Sequence, residues 1–137
     1  MRLVRSKVVQ FLGMPPEVEA RASPAERERV NEIMKSIQPL SMRIEGIRNE
    51  AAITLGPLPL ERITTPTLVI SARDDLYITL PAAEHLAEHI PGAKLVVLDS
   101  GGHLMVGHGR EVEGAIADFL EGVETGGGNV SPLRRSG

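Results

Sequence analysis

The chain has 137 residues, of which 42% are hydrophobic, and this size and apolar fraction suit one globular domain with a buried core. With a formal net charge of −3, one Tyr, two Phe and no Trp, it has neither the basic stripe nor the stacking platforms of a nucleic-acid-binding protein. The lack of cysteine excludes disulfides and thiolate chemistry and fits a reducing compartment, which predicts a cytoplasmic location. No apolar run approaches the length of about eighteen residues that a membrane span needs.

The first region, residues 1–55, has the periodicity of three helices. The first helix carries apolar side chains at helical spacing, Val4, Val8 and Leu12. It is expected to end at G13-M-P-P, because proline cannot continue a helix. A weaker third helix is predicted from about Ser41 to Ala52, with a glycine in its middle. Its inward-facing side chains are expected to be Ile44, Ile47 and Ala51.

The second helix of this region is marked by its first residues, S23-P-A-E. The Ser23 hydroxyl can accept hydrogen bonds from the free backbone amides at the helix start, and Pro24 suits the first helical position. Glu26 can reach back to complete a capping box. One face of the helix then carries four apolar side chains, Val30, Ile33, Met34 and Ile37.

From residue 56 to 123 the pattern becomes strand, helix, strand, helix, which predicts an α/β fold. T67-L-V-I-S and K94-L-V-V-L-D are continuous apolar runs, typical of parallel strands buried on both faces. Helices are predicted over 81–90 and from about 109 to 122. Their inward residues are expected to be Ala82, Ala83, Leu86 and Ile90 in the first, and Val112, Ile116, Phe119 and Leu120 in the second. Residues 124–137 are glycine-rich and aperiodic and are predicted to form a disordered tail.

A polar stretch follows each predicted strand. S71-A-R-D-D ends in Asp75, and D99-S-G-G-H ends in His103. Loops at the carboxyl ends of adjacent parallel strands lie side by side, so Asp75 and His103 are expected to meet. This pair suits nucleophilic catalysis, in which an imidazole takes a proton from a hydroxyl and a carboxylate fixes the tautomer of the ring.

Three stretches carry a resemblance to a known family: P66-T-L-V-I-S-A-R-D-D, I90-P-G-A-K-L-V-V-L-D-S-G-G-H and A115-I-A-D-F-L. They resemble the C-terminal part of the α/β-hydrolase family, in which Gly-x-x-Asp holds the triad acid and a later Gly-His pair holds the base. The resemblance implies that Asp75 is the acid and His103 the general base. Because Ala72 stands where the family usually has glycine, Asp74 stays open as an alternative acid.

The resemblance also implies a division of the chain. Residues 1–55 correspond to the helical cap that this family inserts over its pocket, and residues 56–123 to the C-terminal portion of its core, a βαβα part of an incomplete parallel sheet. It implies no cofactor. The substrate would be a small-molecule ester, amide or related compound, although family members with a carboxylate nucleophile, which act on carbon–halogen bonds or epoxides, stay open.

The nucleophile of this family precedes the acid, on an elbow of the form Gly-x-Ser-x-Gly. The 137 residues contain no such motif. The nucleophile is therefore expected on sequence upstream of Met1 or on a partner chain, and the chain alone is expected to be inactive. The alternative is a noncatalytic remnant or interaction module. Because two parallel strands leave exposed edges, association with a complementary chain or a second copy is also expected.

One further pattern, H85-L-A-E-H, matches the H-x-x-E-H zinc signature of a peptidase group. Two histidines four residues apart share a helix face, and Glu88 lies near enough to act as a base. The face has the composition of a solvated surface, so zinc is the less favoured interpretation and no metal site is predicted. Of the other polar residues, His108 is interpreted as a helix-start or surface residue. Tyr77 either lines the mouth of a pocket or packs against the fold.

Overall fold

The computed structural model describes residues 2–53 and 56–125. A helical region comes first, with α1 (Arg2–Phe11), α2 (Pro16–Arg21), α3 (Pro24–Ser36), a 3₁₀ turn (Leu40–Met42) and α4 (Ile44–Ala52). A second 3₁₀ turn (Leu60–Arg62) leads into β1 (Leu68–Ala72), α5 (Leu80–His89), β2 (Lys94–Leu98) and α6 (Gly109–Glu124). The predicted tail falls mostly on residues 126–137, which lie outside the described residues. No helix of the described part of the chain is long and apolar enough to cross a membrane.

The α/β fold predicted from the apolar runs is confirmed. Strands β1 and β2 are parallel neighbours, in a register that pairs Leu68 with Lys94 and Ala72 with Leu98. The carboxyl ends of both strands are buried, with Leu98 only 1% exposed, whereas most other strand residues are half-buried. The sheet formed by the described residues has two strands, so each strand has a neighbour on one edge only, which fits the half-buried state of most strand residues.

The helical region contains one more helix than the sequence pattern predicted. The first helix, α1, ends at Phe11, and the chain turns at Gly13, which has φ of +72°, before it reaches the two prolines. Pro16 occupies the first position of α2, where its missing N–H costs nothing. The cap of α3 is present, because Ser23 Oγ accepts a hydrogen bond of 3.2 Å from the amide of Glu26. The Glu26 carboxylate does not complete a capping box and accepts two hydrogen bonds from Arg29 instead.

Several side chains predicted to face inward are exposed. In α4, Ile44 and Ile47 are 41% and 38% exposed, and in α6 Ile116 and Leu120 are 41% and 53% exposed. Ala82 of α5 is also exposed, whereas its neighbour Ala83 is buried. Hydrophobic periodicity identifies the apolar face of a helix but not the element that covers it. The prediction was wrong for these five positions because the packing partner, not the periodicity, decides burial.

The main hydrophobic core joins the helical region to the loop that follows β2. Its fully packed members are Val9, Met14, Val18, Val30 and Val106, with Ala22, Met34 and Leu104 partly buried against them. Two of these residues, Leu104 and Val106, come from the loop after β2 and the others come from α1, α2, α3 and their connections. The helical region is thus packed directly onto the loop that carries His103.

Candidate active site

The structure brings the two residues singled out from the sequence into direct contact. Asp75 lies three residues beyond β1 and His103 five residues beyond β2, at the same edge of the sheet. His103 Nδ1 lies 2.9 Å from Asp75 Oδ2. The Asp75 side chain is buried, at 3% exposure, whereas the His103 side chain is 46% exposed. A carboxylate that accepts from Nδ1–H leaves the lone pair on Nε2, the tautomer that a general base requires.

Two further groups donate hydrogen bonds to Asp75. Thr79 Oγ1 donates to Oδ2 at 2.5 Å, and the amide of Tyr77 donates to Oδ1 at 2.8 Å. Ser71 Oγ, which is buried, lies 3.1 Å from Thr79 Oγ1 and extends the chain of hydroxyls back into β1. Burial alone raises the pKa of Asp75, but the bonds from Thr79, His103 and the Tyr77 amide outweigh it and leave the pKa below its ordinary value.

Asp74 contacts a different part of the same loop. Its Oδ2 accepts a hydrogen bond of 3.1 Å from the amide of Gly101, and its Oδ1 accepts one of 2.8 Å from the amide of Gly102. Of the two neighbouring carboxylates, Asp75 therefore contacts the imidazole and Asp74 contacts the backbone that leads to it. Asp75, the residue that the family resemblance implies as the acid, is thus the one in contact with His103.

The two glycines before His103 have the backbone angles expected of a tight loop. Gly101 has φ of +117° and Gly102 has φ of +60°, a region that side chains disfavour. Gly102 also approaches the helical region closely, since a Cβ placed on it would lie 2.8 Å from Met14 Cα. The loop can therefore enter between the Asp74 carboxylate and the helical region only with glycine at this position.

An open cleft of about 270 Å³ lies over the pair. Its polar lining includes Asp75, Thr79 and His103, and its apolar lining includes Leu86 and Met105. A larger open cleft of about 620 Å³ lies beside His108, on a part of the surface that does not include Asp75 or His103. The smaller cleft is the one that combines an acid–histidine pair with an apolar wall, so it is the better candidate for a substrate.

The matching family model, described as serine hydrolase, covers residues 8–118. The chain belongs to the serine hydrolase family. Membership confirms the resemblance to α/β hydrolases that was read from the strand-end motifs, and it extends well into the helical region, beyond the stretches on which that resemblance rested.

Three curated relatives illustrate the similarity. RutD of Yersinia enterocolitica, a protein named as a carbamate hydrolase, is 31% identical over 98 residues, which is 69% of this chain and 34% of that protein. RutD of Pseudomonas savastanoi is 52% identical over 44 residues, 32% of this chain and 17% of that protein. The rhodomycin D methylesterase DauP of a Streptomyces strain is 48% identical over 46 residues, 34% of this chain and 15% of that protein. The chain thus spans about a third or less of the length of these relatives, and no solved structure matches it.

Tyr77 lies beside the Asp75–His103 pair. Its ring meets the His103 ring edge to face, with centroids 4.7 Å apart and planes inclined by 68°. Its hydroxyl donates to the carbonyl of Phe11, at the end of α1. Burial, and to a lesser extent the charge of Asp75, raises the pKa of the Tyr77 hydroxyl. Tyr77 therefore packs against the candidate catalytic histidine and ties the loop after β1 to the helical region.

His108 belongs to a separate network that joins the two ends of its own loop. Its Nδ1 lies 2.8 Å from Glu111 Oε2 in the first turn of α6, and its Nε2 lies 3.3 Å from Ser100 Oγ just after β2. This agrees with the interpretation of His108 as a helix-start residue, since it precedes Gly109, the first residue of α6. The network closes the loop that carries His103 but does not contact Asp75.

The H-x-x-E-H stretch lies on α5, as predicted. The rings of His85 and His89 face each other with centroids 4.0 Å apart, and His89 Nδ1 lies 2.9 Å from the carbonyl of His85. Over residues 2–53 and 56–125, no cluster of three or more His, Cys, Asp or Glu side chains has a geometry that could hold a metal ion.

Sequence reasoning missed Thr79 and Gly13 as members of the site. Thr79 is an ordinary threonine four residues after Asp75, and nothing in the spacing distinguishes it from a helix-start residue. Gly13 was identified only as the end of a helix, although its carbonyl accepts hydrogen bonds from the amides of both Leu76 and His103. A glycine followed by Met-Pro-Pro signals a break in the helix, but not the loops against which that break packs.

Proposed function

We propose that Asp75 and His103 are the acid and the general base of the hydrolase's catalytic triad, and that the nucleophile is a serine outside these 137 residues. The observation that carries the proposal is the 2.9 Å contact between the buried Asp75 carboxylate and the Nδ1 atom of the half-exposed His103. A buried carboxylate in this position orients the ring and stabilises the imidazolium that forms during the reaction.

The proposed reaction uses His103 twice. Its Nε2 first takes the proton of the serine hydroxyl while the serine oxygen attacks the substrate carbonyl. The imidazolium then gives that proton to the departing alcohol or amine, and an acyl-enzyme remains. Water attacks the acyl-enzyme in a second step, in which Nε2 accepts a proton from the water and then gives it to the serine oxygen as the carboxylic acid product departs. Asp75 stays ionised throughout, in keeping with the lowered pKa of its carboxyl.

The substrate class proposed is a small-molecule ester, amide or carbamate. The carbonyl–heteroatom bond is common to carbamate and methyl-ester hydrolysis, the two activities in the names of the relatives. The apolar wall of the 270 Å³ cleft, with Leu86 and Met105, supports an apolar group next to the scissile bond.

We further propose that residues 1–55 act as a cap over the substrate pocket. The shared core of Val9, Val18 and Val30 with Val106 supports this role, because it places the helical region against the loop that carries His103. The contact between the Tyr77 hydroxyl and the Phe11 carbonyl supports the same placement from the side of the acid loop.

We place the nucleophile outside the 137 residues because they contain no Gly-x-Ser-x-Gly motif. In residues 2–53 and 56–125 the sheet has two strands, and the outer edges that these residues leave unpaired support completion by additional strands, from upstream sequence, a complementary chain or a second copy. The coding DNA upstream of Met1, translated in frame, is the first test, and we expect strands followed by a Gly-x-Ser-x-Gly elbow.

A serine-directed fluorophosphonate probe tests the same proposal on protein. We expect the 137-residue chain alone to remain unlabelled, and the protein with its upstream region to be labelled at the elbow serine. His103→Ala should abolish labelling of that longer protein, and His108→Ala should not. Two results together would overturn the proposal in favour of a noncatalytic binding module. These are an in-frame stop codon before Met1, and no labelling by the probe when the chain is combined with the products of neighbouring genes.

A further inference from the structure

Gly13, in the turn between α1 and α2, contacts both loops of the candidate catalytic pair. Its carbonyl oxygen accepts a hydrogen bond of 3.2 Å from the amide of Leu76, the residue after Asp75. The same oxygen accepts a second hydrogen bond of 3.0 Å from the amide of His103 itself. One backbone acceptor in the helical region therefore joins the acid loop to the histidine loop.

The space around Gly13 admits no side chain. A Cβ placed on this residue would lie 2.6 Å from His103 Cβ, 3.1 Å from Asp75 Oδ1 and 3.1 Å from the ring of Tyr77. The closest of these distances is one that real Cβ atoms do not reach, and the atom it meets is the Cβ of His103 rather than the flexible end of a side chain. Gly13 also has φ of +72°, which glycine adopts without strain.

We propose that Gly13 is a positioning residue for the Asp75–His103 pair. Its carbonyl holds the two loops together by hydrogen bonds, and its lack of a side chain leaves room for the imidazole. The proposal rests on the proposed function for the role of the pair, but its geometry does not involve the nucleophile. Gly13 does not touch the substrate. It acts through the backbone at His103 and Leu76, so the helical region sets the position of the ring as well as covering the pocket.

The positioning role predicts that any side chain at residue 13 moves the imidazole away from Asp75. Among the described residues, the two loops are otherwise joined near the pair by the carboxylates of Asp74 and Asp75, which contact residues 101–103, and by the ring contact between Tyr77 and His103. A clash that moved His103 would lengthen the 2.9 Å contact with Asp75 Oδ2, and the ring would lose the interaction that fixes its tautomer. In the intact enzyme this should lower kcat about tenfold or more, with KM changed little, because the defect lies in the geometry of proton transfer.

The test compares Gly13→Ala with Gly92→Ala in the 137-residue chain. Gly92 is a matched control, because its φ is +73° and a Cβ placed on it would meet nothing within 4 Å. Both variants carry the same left-handed backbone penalty and should lower the midpoint of thermal unfolding. The readout is the proton NMR resonance of His103 Nδ1–H, assigned with ¹⁵N-labelled histidine. We expect this resonance to shift or disappear in Gly13→Ala and to stay unchanged in Gly92→Ala.

Hydrogen exchange of the wild-type chain keeps the proposal testable if Gly13→Ala does not fold. The amides of Leu76 and His103 donate to one oxygen, so we expect both to be protected and to exchange at similar rates. Rapid exchange of both amides, or an unchanged His103 resonance in a folded Gly13→Ala variant, would overturn the positioning role. Failure of the proposed function gives a different result. If the His103→Ala variant of the intact enzyme stayed active, the catalytic role of the pair would be refuted, but the NMR and hydrogen-exchange results on Gly13 would be unchanged.

Discussion

Asp74 and Asp75 are adjacent in the chain, yet their carboxylates hold different parts of the loop that carries His103. Asp75 contacts the imidazole of His103 at Nδ1. Asp74 accepts hydrogen bonds from the backbone amides of Gly101 and Gly102, the two residues that precede His103. The loop is therefore fixed at its backbone and at its functional side chain by two consecutive residues that follow β1.

Because Asp74 accepts two backbone hydrogen bonds, we expect it to stabilise the fold, and a substitution can measure the contribution to the free energy of unfolding. Asp74→Asn removes the charge and one of two acceptor oxygens, and should lower the free energy of unfolding by about 1–3 kcal/mol. Asp99→Asn is the control, because the Asp99 side chain is 94% exposed and its ion pair among the described residues is a 3.4 Å contact with Arg73. That change should fall within about 0.5 kcal/mol of the wild type. Urea denaturation gives both values, and equal effects would contradict the role of Asp74.

Substitutions of Thr79 should lower the free energy of unfolding by an amount that depends on whether the hydroxyl is kept. Thr79→Val keeps the shape of the side chain but leaves Asp75 Oδ2 without this donor, and should cost about 1–2 kcal/mol of unfolding free energy. Thr79→Ser should recover most of that loss, because it restores the hydroxyl. Thr67→Val removes a hydroxyl that donates only to the Thr65 carbonyl and serves as the control. A Thr79→Val variant as stable as Thr67→Val would show that the hydroxyl does not support Asp75.

Asp75 also predicts a loss of stability in acid. Because the pKa of its carboxyl is lower in the folded state than the ordinary value of about 3.9, ionised Asp75 stabilises the folded chain at higher pH. This contribution is fully present above about pH 4 and disappears as the pH falls through the folded-state pKa. Asp75→Asn should therefore be less stable than the wild type near neutral pH, and the difference should shrink below about pH 4.

The control for this acid prediction is Asp118→Asn, a substitution at an exposed position on α6. Urea denaturation at a series of pH values gives the difference between each variant and the wild type. A difference for Asp75→Asn that stays constant from neutral pH into the acid range would show that the carboxylate is not stabilised by its hydrogen bonds.

Tyr77 provides an optical probe of the pair, because it is the single tyrosine of a chain without tryptophan. Burial and the nearby Asp75 carboxylate should place the pKa of its hydroxyl above the ordinary value of about 10. Asp75→Asn removes the charge and should lower the pKa of Tyr77 toward that value. Ultraviolet absorbance of tyrosinate during an alkaline titration measures both. An identical titration in the two proteins would contradict the proximity of the two side chains.

The sequence predicted the α/β fold and brought together Asp75 and His103 because those inferences depend on local signals. Continuous apolar runs identify buried parallel strands, and the carboxyl ends of such strands share one edge of the sheet. The same reasoning could not find Gly13, whose role depends on the packing of a helix end against two loops more than sixty residues away. It also failed for Ile44 and Leu120, since their spacing identifies an apolar face without identifying what covers it.

The central claim, that His103 is the general base of a serine hydrolase, is tested most directly by hydrolysis kinetics of the protein with its upstream region. The measurement is kcat/KM for a small methyl ester, compared between His103→Ala and His108→Ala. His108 is the matched control, because it lies in the same loop but pairs with Ser100 and Glu111 rather than Asp75. We predict a fall of about a thousandfold or more for His103→Ala and less than about tenfold for His108→Ala. Equal activities in the two variants would contradict the account.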